Sequence, residues 1–156
     1  LQLPPSLSFE EAKPRLEELF DILPADFVYP IEGRHESWFT DEALNYLKQK
    51  KHCLVWNVVE GVNNPMPITS NYLYVRLIGD RSIPDNQFGA IRKNKSDLIK
   101  NWAQKLAEIS DIPLAMVMAN NHFEGFGPAT ANTLGKNLGM RELIWEEKKQ
   151  KTLGNF

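Results

Sequence analysis

The sequence predicts an α/β fold built on a parallel β-sheet. Helical and strand-like segments follow one another in the order α-β-α-β-β-α-β-α. The strand-like segments are continuous apolar runs, which are typical of strands that helices cover on both faces. With 156 residues, 42% of them hydrophobic, the chain is long enough to bury a core, and we expect a single domain, 1–156.

Two architectures satisfy this pattern: an open doubly wound sheet and a (β/α) barrel. No glycine-rich phosphate fingerprint follows any strand, which counts against a dinucleotide-binding sheet. A closed barrel normally needs eight strands and about 250 residues. The residues alone therefore leave the choice open.

The first predicted element is a helix over 7–23. Ser8 and Glu11 have the spacing of a capping box, and apolar residues recur behind them at helical intervals. Pro14 restricts how the first turns can be built. We therefore expect the helix to be kinked or to begin nearer Ala12.

A short β-rich segment follows at 27–34, where Pro30 weakens the prediction of a strand. The next helix is predicted over 40–51, with Thr40 as its N-cap. A buried strand is predicted over 53–60.

In the second half, a strand over 72–80 is interrupted by Arg76 and precedes a long polar loop. A helix is predicted over 96–110, then a strand over 112–120 and a helix over 128–139. Four apolar residues of the first of these helices share one face: Leu98, Trp102, Leu106 and Ile109.

Charge and cysteine content narrow the possible partners. The net charge of -2 gives no global field that would recruit nucleic acid or an anionic membrane. No apolar stretch approaches the roughly 20 residues that cross a bilayer. The one cysteine, Cys53, lies in an apolar run, which indicates a reducing compartment and hence a cytoplasmic protein.

Four segments occur in an order that resembles a known family. They are LQLPPSLSF (1–9), IEGRHESWF (31–39), YLYVRLIGDR (72–81) and ANNHFEGFGPATANTL (119–134). Together they resemble the YecE-like proteins, domain of unknown function family 72, which are TIM-type barrels. The resemblance implies that this chain supplies strands five to eight and the end of strand four, a half barrel. Closing the fold would then need an N-terminal barrel half or a second copy of the chain.

Active sites of TIM-type barrels lie at the carboxyl ends of the strands, and that rule selects the candidate residues. The catalytic candidates are Glu32, His35 and His122. The ligand-binding candidates are Arg34, Arg76, Asn120, Asn121 and Trp38.

The arginines are the most informative of these candidates. Arg34 and Arg76 can hold a carboxylate or phosphate in bidentate geometry, and Glu32 can act as a general base. An arginine within an apolar strand must meet an anion or a cavity, because burying it unpaired is too costly. The structural alternative is an internal ion pair of Arg76 with Glu32 or Glu60.

The histidines and asparagines each have two interpretations. Glu32, His35 and His122 could bind a divalent metal, although no close-spaced ligand pair supports such a site, and otherwise the histidines cap loop backbone. Asn120 and Asn121 suit sugar hydroxyls but also cap strand ends.

Among the tryptophans, Trp38 is the candidate for stacking on a ligand, because it follows His35 in a loop.

Three functions follow as hypotheses. The first is an enzyme that acts on a small polar or phosphorylated, sugar-like molecule at the mouth of the strands. The second is a metal-dependent, nuclease-like barrel, against which the net charge counts. The third is a non-catalytic binding protein.

Overall fold

Three parallel strands organise the fold in the computed structural model, which describes residues 1–58 and 65–144. Strands β1 (Trp56–Val58), β2 (Tyr72–Leu77) and β3 (Leu114–Ala119) form a sheet in the order β1-β2-β3. Both strand pairs are parallel. The predicted α/β class with a parallel sheet is therefore confirmed.

Helices connect and flank these strands. In the described part of the chain they are α1 (Phe9–Ile22), α2 (Asp41–Lys50), α3 (Ser96–Ala107), α4 (Asn121–Glu124) and α5 (Gly127–Asn137). Two short 3₁₀ helices lie at Glu36–Phe39 and Asp85–Gln87. None of the described helices combines the length and apolar character required to cross a bilayer.

Two isolated parallel bridges extend the pairing in front of β1. Gln2 pairs with Glu32, and Ile31 pairs with Leu54. The Glu32 amide donates to the Leu1 carbonyl at 2.8 Å, and the Ile31 amide donates to the Cys53 carbonyl at 2.8 Å. The strand predicted over 27–34 is thus reduced to two bridging residues.

The helices α3 and α5 cover one face of the sheet. Alternate strand residues such as Trp56, Val75 and Leu77 are buried there against Trp102 of α3 and Leu134 of α5. This face supplies the apolar burial that stabilises the second half of the chain.

The opposite face of the sheet, called the open face below, carries the strand residues that alternate with those buried under the helices. Asn57, Arg76 and Met118 lie in one register row across β1, β2 and β3, so their side chains leave the sheet on the same side. Leu114 and Met118 are 52% and 49% exposed on β3.

A second core lies between α1, α2 and the segment around Ile31. Trp38, Phe9 and Leu47 are fully buried in it. Trp38 meets Phe9 edge to face, with ring centroids 5.4 Å apart. This core fixes the segment that carries Glu32 and Arg34.

Most element boundaries differ from the predictions by one to three residues. The capping box of Ser8 and Glu11 is present, and Thr40 caps α2 as predicted. The expectation that α1 begins near Ala12 is wrong, because the helix already begins at Phe9 and includes Pro14.

The predicted apolar face of α3 is corrected at one position. Leu98 is exposed, and Ile99 is fully buried instead, beside Trp102 and Ala103. Of the strand predicted over 53–60, positions 59 and 60 lie outside the described residues.

Candidate functional site

The centre of the site is the buried carboxylate of Glu32, held between two arginines. Its side chain is 3% exposed. Arg34 Nε and Nη2 donate to Glu32 Oε1 at 2.8 and 2.7 Å, and Arg76 Nη1 donates to Glu32 Oε2. Both carboxylate oxygens are therefore occupied, and the predicted ion pair of Arg76 with Glu32 is confirmed. The alternative partner, Glu60, lies outside the described residues.

Arg76 reaches Glu32 by crossing over β1. It stands on β2, whereas Glu32 stands on the far side of β1, next to Gln2. On the way, Arg76 Nη1 also donates to Gln2 Oε1 at 2.9 Å. The guanidinium thus joins β2 to the two segments that carry Gln2 and Glu32.

Together, the two guanidinium groups and the carboxylate carry one net positive charge. The side chains of Arg34 and Arg76 are 30% and 28% exposed, so both reach solvent while Glu32 does not. A guanidinium has five N–H donors in a fixed fork, and Glu32 uses only some of them. The arrangement can accept an anion at its solvent side.

Two polar residues of this site were not predicted from the sequence, namely Gln2 and Asn57. Gln2 is brought to Arg76 by the bridge to Glu32. Asn57 is the register partner of Arg76, and its Oδ1 is buried without a hydrogen-bond partner among the described residues. The signal for Asn57 was present in CLVWNVVE, as one polar residue inside an apolar run.

The two asparagines after β3 act as caps. Asn120 Oδ1 accepts from the His122 amide at 2.9 Å and so caps the short helix α4. Asn121 Oδ1 accepts from the Gly127 amide at 2.8 Å, at the start of α5. In this conformation both side-chain oxygens satisfy backbone donors, which supports the capping interpretation.

Replacing Asn121 by alanine should lower the free energy of unfolding by about 1 kcal/mol, because the Gly127 amide loses its acceptor. Asn121→Asp keeps an acceptor and should lose less. Urea denaturation of both variants measures the difference. Equal stability of Asn121→Ala and the unmodified chain would contradict the capping role.

The two histidines lie in separate local networks. His35 Nδ1 accepts from the Ser37 amide at 3.2 Å and caps the 3₁₀ helix Glu36–Phe39. His122 Nδ1 lies 3.2 Å from the Ile83 carbonyl oxygen, and its ring meets Phe88 edge to face. Each histidine therefore fixes a loop.

Glu32, His35 and His122, which could have formed a metal site, are not brought together in the described residues. Within residues 1–58 and 65–144, no three histidine, cysteine, aspartate or glutamate side chains are grouped so that they could hold a metal ion. Glu32 is engaged by arginines, and the histidines cap different loops.

The predicted ligand platform at Trp38 is also corrected. Its side chain is fully buried, and Nε1 donates to the Leu7 carbonyl at 3.1 Å. A Cβ at Gly33 would lie 2.2 Å from Trp38 Cγ. The ring packs under the backbone between Glu32 and Arg34, where no ligand can stack on it.

The loop that follows β2 packs closely against the backbone at His122. Gly79 has a φ of 81°, and a Cβ there would lie 2.2 Å from the His122 carbonyl oxygen, so only glycine fits without displacement.

A hydrogen bond from Lys93 and further ones from Ser82 hold the pKa of Asp80 well below its usual range.

Fold and site together define an α/β protein with a parallel sheet and a two-arginine, one-glutamate centre. The sequence model of the family described as "Protein of unknown function DUF72" matches residues 1–153. The chain belongs to the DUF72 family, as the ordered motifs predicted.

Solved structures of the same family have a similar fold. A DUF72 family protein from Thermotoga maritima MSB8 is 21% identical, with a TM-score of 0.69 over 88% of this chain and 56% of that one. A DUF72 family protein from Enterococcus faecalis V583 is 20% identical, with a TM-score of 0.70 over 90% of this chain and 60% of that one. This chain thus spans less than two thirds of the length of those proteins. No curated protein matches it.

Proposed function

We propose that the chain binds a small anionic molecule, phosphorylated and sugar-like, through Arg34 and Arg76 on the open face of the sheet. The observation that supports this most is the excess of two guanidinium groups over one buried carboxylate, with both arginines reaching solvent. Arginine forks match phosphate and carboxylate oxygens in bidentate geometry.

In this proposal Glu32 orients the arginines. Three guanidinium N–H groups point at its two oxygens, and this fixes the forks of both arginines. We therefore assign Glu32 to positioning, and the first hypothesis of an enzyme acting on this molecule requires a proton-transferring group elsewhere. The nuclease-like hypothesis gains no support, because the described residues contain no metal-binding group of three.

We further infer that the sheet is part of a closed (β/α) barrel. The parallel strand order runs in sequence, α3 and α5 share one face, and the open face leaves Leu114 and Met118 half exposed. In a barrel the open face would be the interior. Its strand edges would pair with an N-terminal barrel half or with a second copy of the chain, which protects them from aggregation. The buried free thiol of Cys53 fits a cytoplasmic protein.

Arg76→Ala tests the proposed function. Isothermal titration with inorganic phosphate should show binding to the unmodified chain and at least about tenfold weaker binding to the variant, because charge-assisted hydrogen bonds are lost. Arg15→Ala removes the same charge from an exposed position of α1 and should bind phosphate like the unmodified chain.

Arg34→Ala provides a second variant in case Arg76→Ala unfolds. Arg34 counts as exposed when its backbone is included, so its replacement should disturb the fold less. Phosphate binding that survives both replacements, in chains shown to be folded by circular dichroism, would refute the site. Equal weakening by Arg15→Ala would indicate a general charge effect and refute it as well.

A further inference from the structure

We propose that the chain has a second binding site, a small cavity lined by aromatic rings, and that this cavity takes a planar aromatic carboxylate. The inference goes beyond the proposed anion site and does not depend on it. Three observations support it: the position of the cavity, the rings that form its walls, and the charges beside it.

The cavity lies at the amino ends of two paired segments. Its volume is about 250 Å³, and its lining comes from residues within 20–29 and 50–52. These stretches lead into Ile31 and Leu54, which form a parallel bridge. Glu32 follows Ile31, so the arginine–glutamate centre lies further towards the carboxyl ends. The cavity is therefore separate from that centre.

Aromatic rings form much of the cavity wall. Phe20 lies against the His52 ring, with centroids 4.0 Å apart, and its centroid is 5.7 Å from that of Tyr29. The Tyr29 hydroxyl donates to the Pro24 carbonyl at 2.8 Å, which closes the loop that carries Phe27. Phe27 lines the cavity although it is 66% exposed, so it stands at the solvent side. Such walls favour a planar aromatic ligand, because paired rings attract one another beyond their burial of apolar area.

The volume of the cavity limits the size of the ligand. Pockets for drug-sized molecules measure roughly 300–1,000 Å³, so this cavity suits a smaller molecule of one or two rings. A carboxylate attached directly to a ring lies in or near the ring plane and leaves the molecule flat. Two fused aromatic rings with one carboxylate meet both conditions.

The charged side chains that line the cavity are basic. Lys50 and Lys51 contribute two ammonium groups, whereas Asp21 and Asp26, which are nearby in sequence, do not line it. Neither ammonium group has a hydrogen-bond or ion-pair partner in the described part of the chain. Burial, and to a smaller extent the charge of Lys50, lowers the pKa of His52, so its ring is neutral at pH 7 and acts as an aromatic wall. A ligand carboxylate therefore meets two cations and no anion of the lining.

Two naphthalene derivatives of opposite charge provide the test. 2-Naphthoate and 2-naphthylmethylammonium share the ring system, so their affinities isolate the effect of the charge. Titration calorimetry at neutral pH on the unmodified chain should show 2-naphthoate binding at least about tenfold more tightly, because the lysines attract one ion and repel the other.

Lys50→Gln and Lys51→Gln, combined in one chain, remove both cations and should reduce this preference to less than about threefold. Lys48→Gln and Lys100→Gln, combined in the same way, remove the same charge from exposed positions outside the lining and should keep the preference. Phe27→Ala should weaken the binding of 2-naphthoate at least about fivefold, because one aromatic wall is lost. Circular dichroism checks that each variant is folded.

The outcomes distinguish this cavity from the alternatives. Equal affinity for the two ions, or a preference that the replacement of Lys50 and Lys51 leaves unchanged, would refute the carboxylate. Loss of 2-naphthoate binding in Arg76→Ala, with the cavity variants unaffected, would place the ligand at the anion site and refute the second site. The proposal is also wrong if 2-naphthoate does not bind, and a dimer that Phe27→Ala dissociates in analytical ultracentrifugation would then identify the surface as a contact between two copies of the chain.

Discussion

Glu32→Gln is expected to lower the free energy of unfolding by about 2–4 kcal/mol, because it leaves two guanidinium groups facing a neutral amide. Arg34 and Arg76 both direct N–H groups at the carboxylate, and an amide can accept from only one side. The partial exposure of the arginines puts the effect below that of a fully buried pair. Urea denaturation followed by circular dichroism measures it.

Glu36→Gln is the matched control for that replacement. It makes the same chemical change four residues later, at an exposed position of the short 3₁₀ helix, and should change stability by less than about 0.5 kcal/mol. Equal stability of Glu32→Gln and Glu36→Gln would show that the buried ion cluster contributes nothing to folding.

Trp38→Ala should lower the free energy of unfolding by about 3–5 kcal/mol, the range for emptying a large buried side chain. The ring is fully buried, meets Phe9 edge to face and donates to the Leu7 carbonyl. Removing it opens a cavity under the backbone between Glu32 and Arg34. Thermal and urea unfolding measure the loss.

Trp38→Phe refills most of the cavity and should restore more than half of the lost stability. Phe27→Ala serves as the control, since this ring is 66% exposed and its truncation should have a small effect. A stable Trp38→Ala chain would contradict the placement of this side chain in the core.

The sequence predicted the fold class because the apolar runs and helix caps are local signals. Ser8 with Glu11 and Thr40 mark helix starts that the structure contains. The strand around Ile31 was less predictable, since its pairing depends on Gln2 and Leu54, which are distant in sequence. The face of α3 was also misjudged, because Leu98 and Ile99 are both apolar and only packing decides between them.

The charged residues of the site could be predicted from the sequence, whereas the orientations of its other side chains could not. An arginine inside an apolar strand requires an anion, so the pairing of Arg76 with Glu32 could be anticipated. Whether Asn121 and His122 contact a ligand or cap backbone depends on torsion angles that no pattern encodes. Trp38 appeared to lie in a loop, and only the tertiary packing of α1 encloses it.

The long reach of Arg76 has a consequence for the order of folding events. Its hydrogen bonds to Gln2 and Glu32 close separations of 74 and 44 residues along the chain. Closing such loops is entropically costly and is repaid only once the intervening strands are in register. Until then Glu32 is better solvated than buried. We therefore expect the polar centre to assemble in a late kinetic phase, after the helices and hydrophobic clusters have formed.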